Sequence, residues 1–212
     1  MIWLAFLIAA TLALTGCGPG TRVFVHSDIK NYHLERIVII PFTEDDKESD
    51  GRSLTSRKVE KGSGEILTNI IYEALKKRSD IKLVSMEDVA GAIKGIVDAD
   101  AGLPIRSMAA RIGRELKADA VIIGSVTSFQ ERVGSSLGIE RPASVGFEVE
   151  LFSTKDDKLL WKSGFYETQA SLTEDIGSLP LFIKRGGKWI TAEELARYGA
   201  EEVIKDYPAV KR

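Results

Sequence analysis

The stretch Ala118–Phe129, ADAVIIGSVTSF, decides the fold. Val121, Ile122 and Ile123 sit at its centre, and it reads as the strongest strand of the chain. Downstream, Val145, Phe147, Val149 and Leu151 alternate with Gly146, Glu148 and Glu150. That period of two is the pattern of a half-exposed strand. Lys155–Lys158 (KDDK) makes a turn, after which Leu159, Trp161, Ser163 and Phe165 alternate again, completing an antiparallel hairpin. Upstream, Arg36–Phe42 (RIVIIPF) is a compact apolar run that reads as a strand buried on both faces, with Pro41 at its end.

Helices fill the space between. Ile66, Leu67, Ile70, Ile71, Ala74 and Leu75 form one face of a helix over 57–78, with Glu65, Thr68, Asn69, Glu73 and Lys76 on the other. A short strand at 81–84 leads to Ser85 and Asp88, a capping box that opens a helix striped by Val89, Ala92, Ile93, Ile96 and Val97. Pro104 suits the start of a third helix, with Ile105, Met108, Ala109, Ile112 and Leu116 on its apolar stripe. Thr191 and Glu194 form a second capping box for a last helix, its inward side being Ala196, Gly199, Ala200, Val203 and Ile204, stopped by Pro208. Residues 43–55, 134–144 and 171–190 read as irregular, and Val23–Val25 as an added edge strand. The order strand, helix, strand, helix, helix, strand, strand, strand, helix implies one α/β (α+β) domain with a single mixed sheet and helices packed against it.

Composition narrows the function. The 212 residues carry 29 Lys plus Arg and 31 Asp plus Glu, a formal charge of −2. Such a balance gives no bulk attraction for nucleic acid or for an anionic membrane face. One cysteine and two histidines cannot supply an intramolecular disulfide or a Cys/His zinc site. Gly62-Ser63-Gly64 and Gly186-Gly187-Lys188 lack the spacing of a phosphate loop and read as helix punctuation and a turn. The acidic loop at 44–50 lacks the calcium-ligand ladder. His26 and His33 precede the first core strand, so neither is expected at a strand end inside a cleft. No catalytic residue, cofactor or metal is expected. Trp161 and Trp189 are the aromatic candidates for an interaction surface, with core packing as the competing role.

Ile2–Leu14 is an apolar run interrupted only by Thr11. As a helix it spans roughly 20 Å, short of a bilayer core of about 30 Å, and fits the core of a secretory signal. It ends in Leu14-Thr15-Gly16-Cys17, which resembles the bacterial lipobox. The resemblance implies cleavage after Gly16 and lipidation of Cys17, the only cysteine. Gly18, rather than Asp, follows it, which by resemblance to lipoproteins of double-membrane bacteria implies the outer membrane with the domain facing the periplasm. The organisation expected is a signal at 1–16, a lipidated tether at 17–35 and a domain at 36–208.

The segments LKADAVIIGSVTSFQERV (116–133) and VGFEVELFSTKDDKLLWKSGFYETQA (145–170) are similar to the CsgG-like lipoproteins. Pro41-Phe42 after an apolar strand and the junction Val84–Asp88 agree in order. The resemblance implies an anticodon-binding-domain-like fold shared with the N-terminal domain of TolB. It implies a non-enzymatic accessory of the cell envelope that binds envelope proteins or forms a homo-oligomer, with membrane contact through the N-terminal lipid. The alternative is a CsgG-type oligomeric secretion channel, whose pore strands would be inserted at 131–144 and after the hairpin. An enzyme with a carboxylate site ranks behind both.

Overall fold

The computed structural model describes residues 22–45, 58–99, 102–134, 139–169 and 190–208. Nine strands occur among them: β1 (Arg22–Val25), β2 (Arg36–Ile39), β3 (Thr43–Glu44), β4 (Lys82–Leu83), β5 (Ala120–Gln130), β6 (Val133–Gly134), β7 (Ile139–Arg141), β8 (Ser144–Ser153) and β9 (Leu159–Thr168). The helices are α1 (Ser63–Lys76), α2 (Met86–Ala99), α3 (Ile105–Glu115) and α4 (Ala192–Lys205). A 3-10 turn spans Ile29–Asn31.

The mixed sheet runs β1-β9-β8-β5-β2-β4, and β3 also pairs with β5. β2, β3 and β4 join it in parallel, whereas β8, β9 and β1 extend it antiparallel. Helix crossovers make the parallel half, and in the antiparallel half the five residues 154–158, with Asp157 at φ 56°, turn β8 back into β9.

Both faces of the parallel half are covered, as the run at 36–42 requires. Ile37 and Ile39 enter one core with α1 and α4. Val38 and Ile40 enter the other with α2 and α3. Each such side chain taken from water contributes about 1.5–3 kcal/mol, so this one strand anchors both layers. A bulge between Val126 and Ser128 changes the pleat, and Val126 and Phe129 therefore lie in the same core three residues apart.

Some boundaries differ from expectation. Thr43-Glu44 is not loop but β3, held to Ser125 and Val126. α1 starts at Ser63 rather than near Arg57, because Gly62 takes φ 88° and Val59 bridges to Phe129. Thr68 is buried, not outward. Its hydroxyl donates to the Gly64 carbonyl at 2.6 Å and accepts the Phe42 amide at 2.9 Å, supplying the acceptor that Phe42 lacks once β2 has ended. Val97 and Ile105 are exposed on their helices. The loop at 134–144 carries part of the small β6–β7 ladder. Of the expected tether, residues 22–35 pack on the domain: β1 pairs with β9, and Leu34 is buried. Among the described residues no helix is long and apolar enough to cross a membrane.

Candidate interaction surface

The helices cover the sheet unequally. α4 packs on β8 and β9 from one side, while α2 and α3 lie over β2 and β5 on the other. On the second face α3 reaches only the end of β8 at Phe152, and the rest of β8, β9 and β1 has no helix over it among the described residues. Its surface follows from register. Glu148 stands opposite Gly164, Glu150 opposite Lys162, and Gly146 opposite Tyr166. Phe24 stands opposite Lys162, and Arg22 opposite Gly164.

Lys162 Nζ donates to Glu148 at 2.8 Å and lies 3.0 Å from Glu150, which also takes Arg106 Nη2 at 3.0 Å. The Arg106 guanidinium rests 4.6 Å from the Phe152 ring centroid. Glu148, and behind it Glu150, hold the Lys162 ammonium above the usual lysine range. Individual surface pairs of this kind contribute about 0–1 kcal/mol. What they provide is order: two cations and two carboxylates fixed in a neutral patch. Beside it the Tyr166 ring lies so close over Gly146 that a Cβ there would meet the ring at 2.6 Å. The patch was half legible in the sequence, since Glu148 and Glu150 alternate with core residues. Lys162 and Arg106 had no signal, because register and the placement of α3 bring them in.

Of the two aromatic candidates, Trp161 takes the core-packing role and not that of a surface anchor. Trp161 is 1% exposed, on the covered side of β9, with its ring 5.3 Å from that of Tyr207 in an edge-to-face contact. β9 lies between β8 and β1, so its α4-facing row is interior. Trp189, Cys17 and Gly16 lie outside the described residues.

At the end of the sheet where β2 and β5 begin, a polar pocket of about 460 Å³ opens. His33 lines it, contrary to the expectation for both histidines, because the turn at 29–31 brings it back to the strand ends. His33 Nε2 lies 3.5 Å from Glu35 and 3.8 Å from Asp119. The Asp119 carboxylate accepts the Glu35 and Arg36 amides at 3.0 and 2.7 Å, pinning the start of β2. Tyr32 donates to Asp156 at 2.7 Å. That bond raises the phenol pKa and, with help from Ser153, lowers that of the Asp156 carboxyl. Thr154 is bonded to the Ala118 carbonyl. The Tyr32 hydroxyl is committed to the Asp156 carboxylate and the Thr154 hydroxyl to the backbone carbonyls of Ala118 and Asp119. Among the described residues no group of three His, Cys, Asp or Glu converges at metal-binding distance.

No protein-family model matches the chain, and no curated protein matches it in sequence. Solved structures do match. The PelC dodecamer from Paraburkholderia phytofirmans aligns with a TM-score of 0.50 at 11% identity, over 91% of this chain and 99% of PelC. The fold is similar to that of PelC. The lipoprotein GNA1162 from Neisseria meningitidis aligns at 0.46 with 15% identity, over 72% of this chain and 95% of its own. The C-terminal domain of LpoB from Escherichia coli aligns at 0.42 with 16% identity, over 64% and 83%. These neighbours are PelC, GNA1162 and LpoB rather than CsgG or TolB. The α/β architecture that the resemblance implied is present, and kinship to CsgG itself is not shown.

Proposed function

We propose that this chain is a lipid-anchored lipoprotein of the outer membrane that faces the periplasm and works without catalysis, by binding envelope proteins or further copies of itself. The observation that carries this reading is the uncovered face of β8 and β9. It presents an ordered, charge-balanced patch of Glu148, Lys162, Glu150 and Arg106 with Tyr166 beside it; tyrosine and arginine are enriched at protein interfaces, and paired charges suit their polar rim. The shallow pocket with committed hydroxyls supports a binding role over a chemical one. PelC is described as a dodecamer, which supports including a second copy among the partners.

The β6–β7 ladder favours this reading over a pore. Its strands have two and three residues, against about 9–11 for a strand that crosses a bilayer.

Crosslinking in the native envelope, followed by identification of the attached proteins, tests the reading. Lys162→Glu turns the patch strongly acidic and should cut the yield of specific adducts several-fold, while Lys94→Glu on α2 should not. Adducts indifferent to Lys162→Glu would place the partner elsewhere.

A further inference from the structure

The five residue steps from Cys17 to Arg22 span at most about 17 Å. If Cys17 carries the lipid, as proposed above, the first residue of β1 is held within that distance of the acyl chains. The domain is then confined to the bilayer surface, and the part of it nearest the lipid is the β1 edge of the sheet.

That edge is where the exposed apolar side chains gather. Among the described residues the large hydrophobic side chains exposed to solvent are Val23, Phe24, Val25, Val97, Ile105, Val133 and Tyr166. Three of these are consecutive on β1. Tyr166 stands on the neighbouring β9, at the end of the sheet where β1 begins. Val133 lies in β6 beyond β5, three strands in, and Val97 and Ile105 lie on α2 and α3.

We propose that the β1 edge rests on the lipid surface that holds Cys17, with Val23, Phe24 and Val25 at the boundary between headgroups and acyl chains. The short reach from Cys17 favours a lipid surface over a second copy of the chain, because it already holds this edge at the bilayer. Phe24 shares a face with Lys162, while Val23 and Val25 share the opposite face with Ser163 and Trp161. A rigid partner laid on one face of the sheet would cover only one of these rows. A fluid interface approached edge-on takes up both. β1 pairs only with β9 among the described residues, so its outer amides and carbonyls need partners. The hydrated headgroup layer supplies them, whereas the hydrocarbon core would not. Arg22, the residue nearest the lipid, brings a guanidinium suited to phosphate.

The test uses the full chain, purified as the lipidated protein and reconstituted into phosphatidylethanolamine–phosphatidylglycerol vesicles. With Cys17 acylated, an introduced cysteine is the sole free thiol. Phe24→Cys, Val25→Cys and, as control, Val97→Cys are each labelled with an environment-sensitive fluorophore. A nitroxide carried at a shallow acyl position should quench the labels at 24 and 25 at least threefold more than the label at 97. Two variants on opposite faces of β1 keep the test open should one of them disturb strand pairing. Equal quenching at all three sites overturns the proposal. Disulfide-linked dimers at position 24 without quenching overturn it too and name a second copy as the occupant. Intact mass of the same sample separates the lipid anchor from the seating of β1. An unmodified Cys17 overturns the lipid-anchor reading and this proposal with it. A lipidated Cys17 with unquenched labels overturns this proposal alone.

Discussion

Gly199→Ala, set beside Gly95→Ala, tests how tightly the last helix is locked to the sheet. The two substitutions are the same chemical change inside helices of the same length, α4 and α2. In a helix interior Ala is better than Gly by about 1 kcal/mol. At Gly95 nothing lies within 4 Å of the added methyl, so that gain is the whole effect. At Gly199 the methyl would meet the Phe165 ring at 2.5–2.7 Å. Phe165 is 4% exposed and confined by Phe147 at 5.8 Å and Tyr198 at 6.1 Å between ring centroids. Overpacking of this sort costs about 1–3 kcal/mol. Gly95→Ala should therefore raise stability by about 1 kcal/mol, and Gly199→Ala should lie between no change and a loss of about 2 kcal/mol. The gap between the two variants is about 1–3 kcal/mol. For a domain of this size each kcal/mol moves the melting temperature by roughly 2–4 °C. Thermal and urea unfolding of both variants, followed by circular dichroism, give the comparison. A Gly199→Ala protein that gains as much as Gly95→Ala would show that the Phe165 ring yields freely, and the packing argument for α4 would fall.

Tyr207 is buried with no hydrogen-bond partner for its hydroxyl among the described residues, so Tyr207→Phe should stabilise the fold by about 1 kcal/mol, and a clear loss in urea unfolding would refute that. Burial also pushes the Tyr207 phenol well above its ordinary pKa of about 10; the stability tied to its neutral form is complete below pH 10 and declines above it, a decline that should be smaller in Tyr207→Phe when unfolding is followed from pH 9 to 11. The unfolding midpoint should not move on addition of a chelator, and a fall of several degrees would reveal a bound metal. Intact mass should show a mature chain that begins at a lipidated Cys17, while Cys17→Ser should accumulate as an unlipidated protein; wild-type protein retaining Met1 would count against the lipobox reading.

Much of the architecture was legible because it depends on periodicity. The doubly buried β2, the alternating β8 and β9, the capping box of α4 and the Ser85–Asp88 pair that opens α2 all stand where local pattern puts them. A strand's pleat and a helix's first turn are set by neighbours a few residues away, so a linear reading reaches them.

What escaped that reading depends on partners far along the chain. Trp161 is interior because it lies in the core under α4, because β1, more than a hundred residues earlier, pairs on its far side, and because Tyr207 meets its ring edge-to-face. Thr68 is buried because Phe42 needs an acceptor where β2 ends. His33 reaches a pocket because Asp119 pins the start of β2 beside it. The candidate patch shows the same division. Alternation gave Glu148 and Glu150 an outward face, but the pairing that sets Lys162 beside them and the docking of α3 that delivers Arg106 are tertiary facts. The apolar run and its terminal Cys17 are local chemistry, readable from the letters alone. That the short reach after Cys17 meets an exposed apolar sheet edge emerges only once β1 is seen as the last strand of the sheet, since exposure belongs to the assembled surface and not to any residue in it.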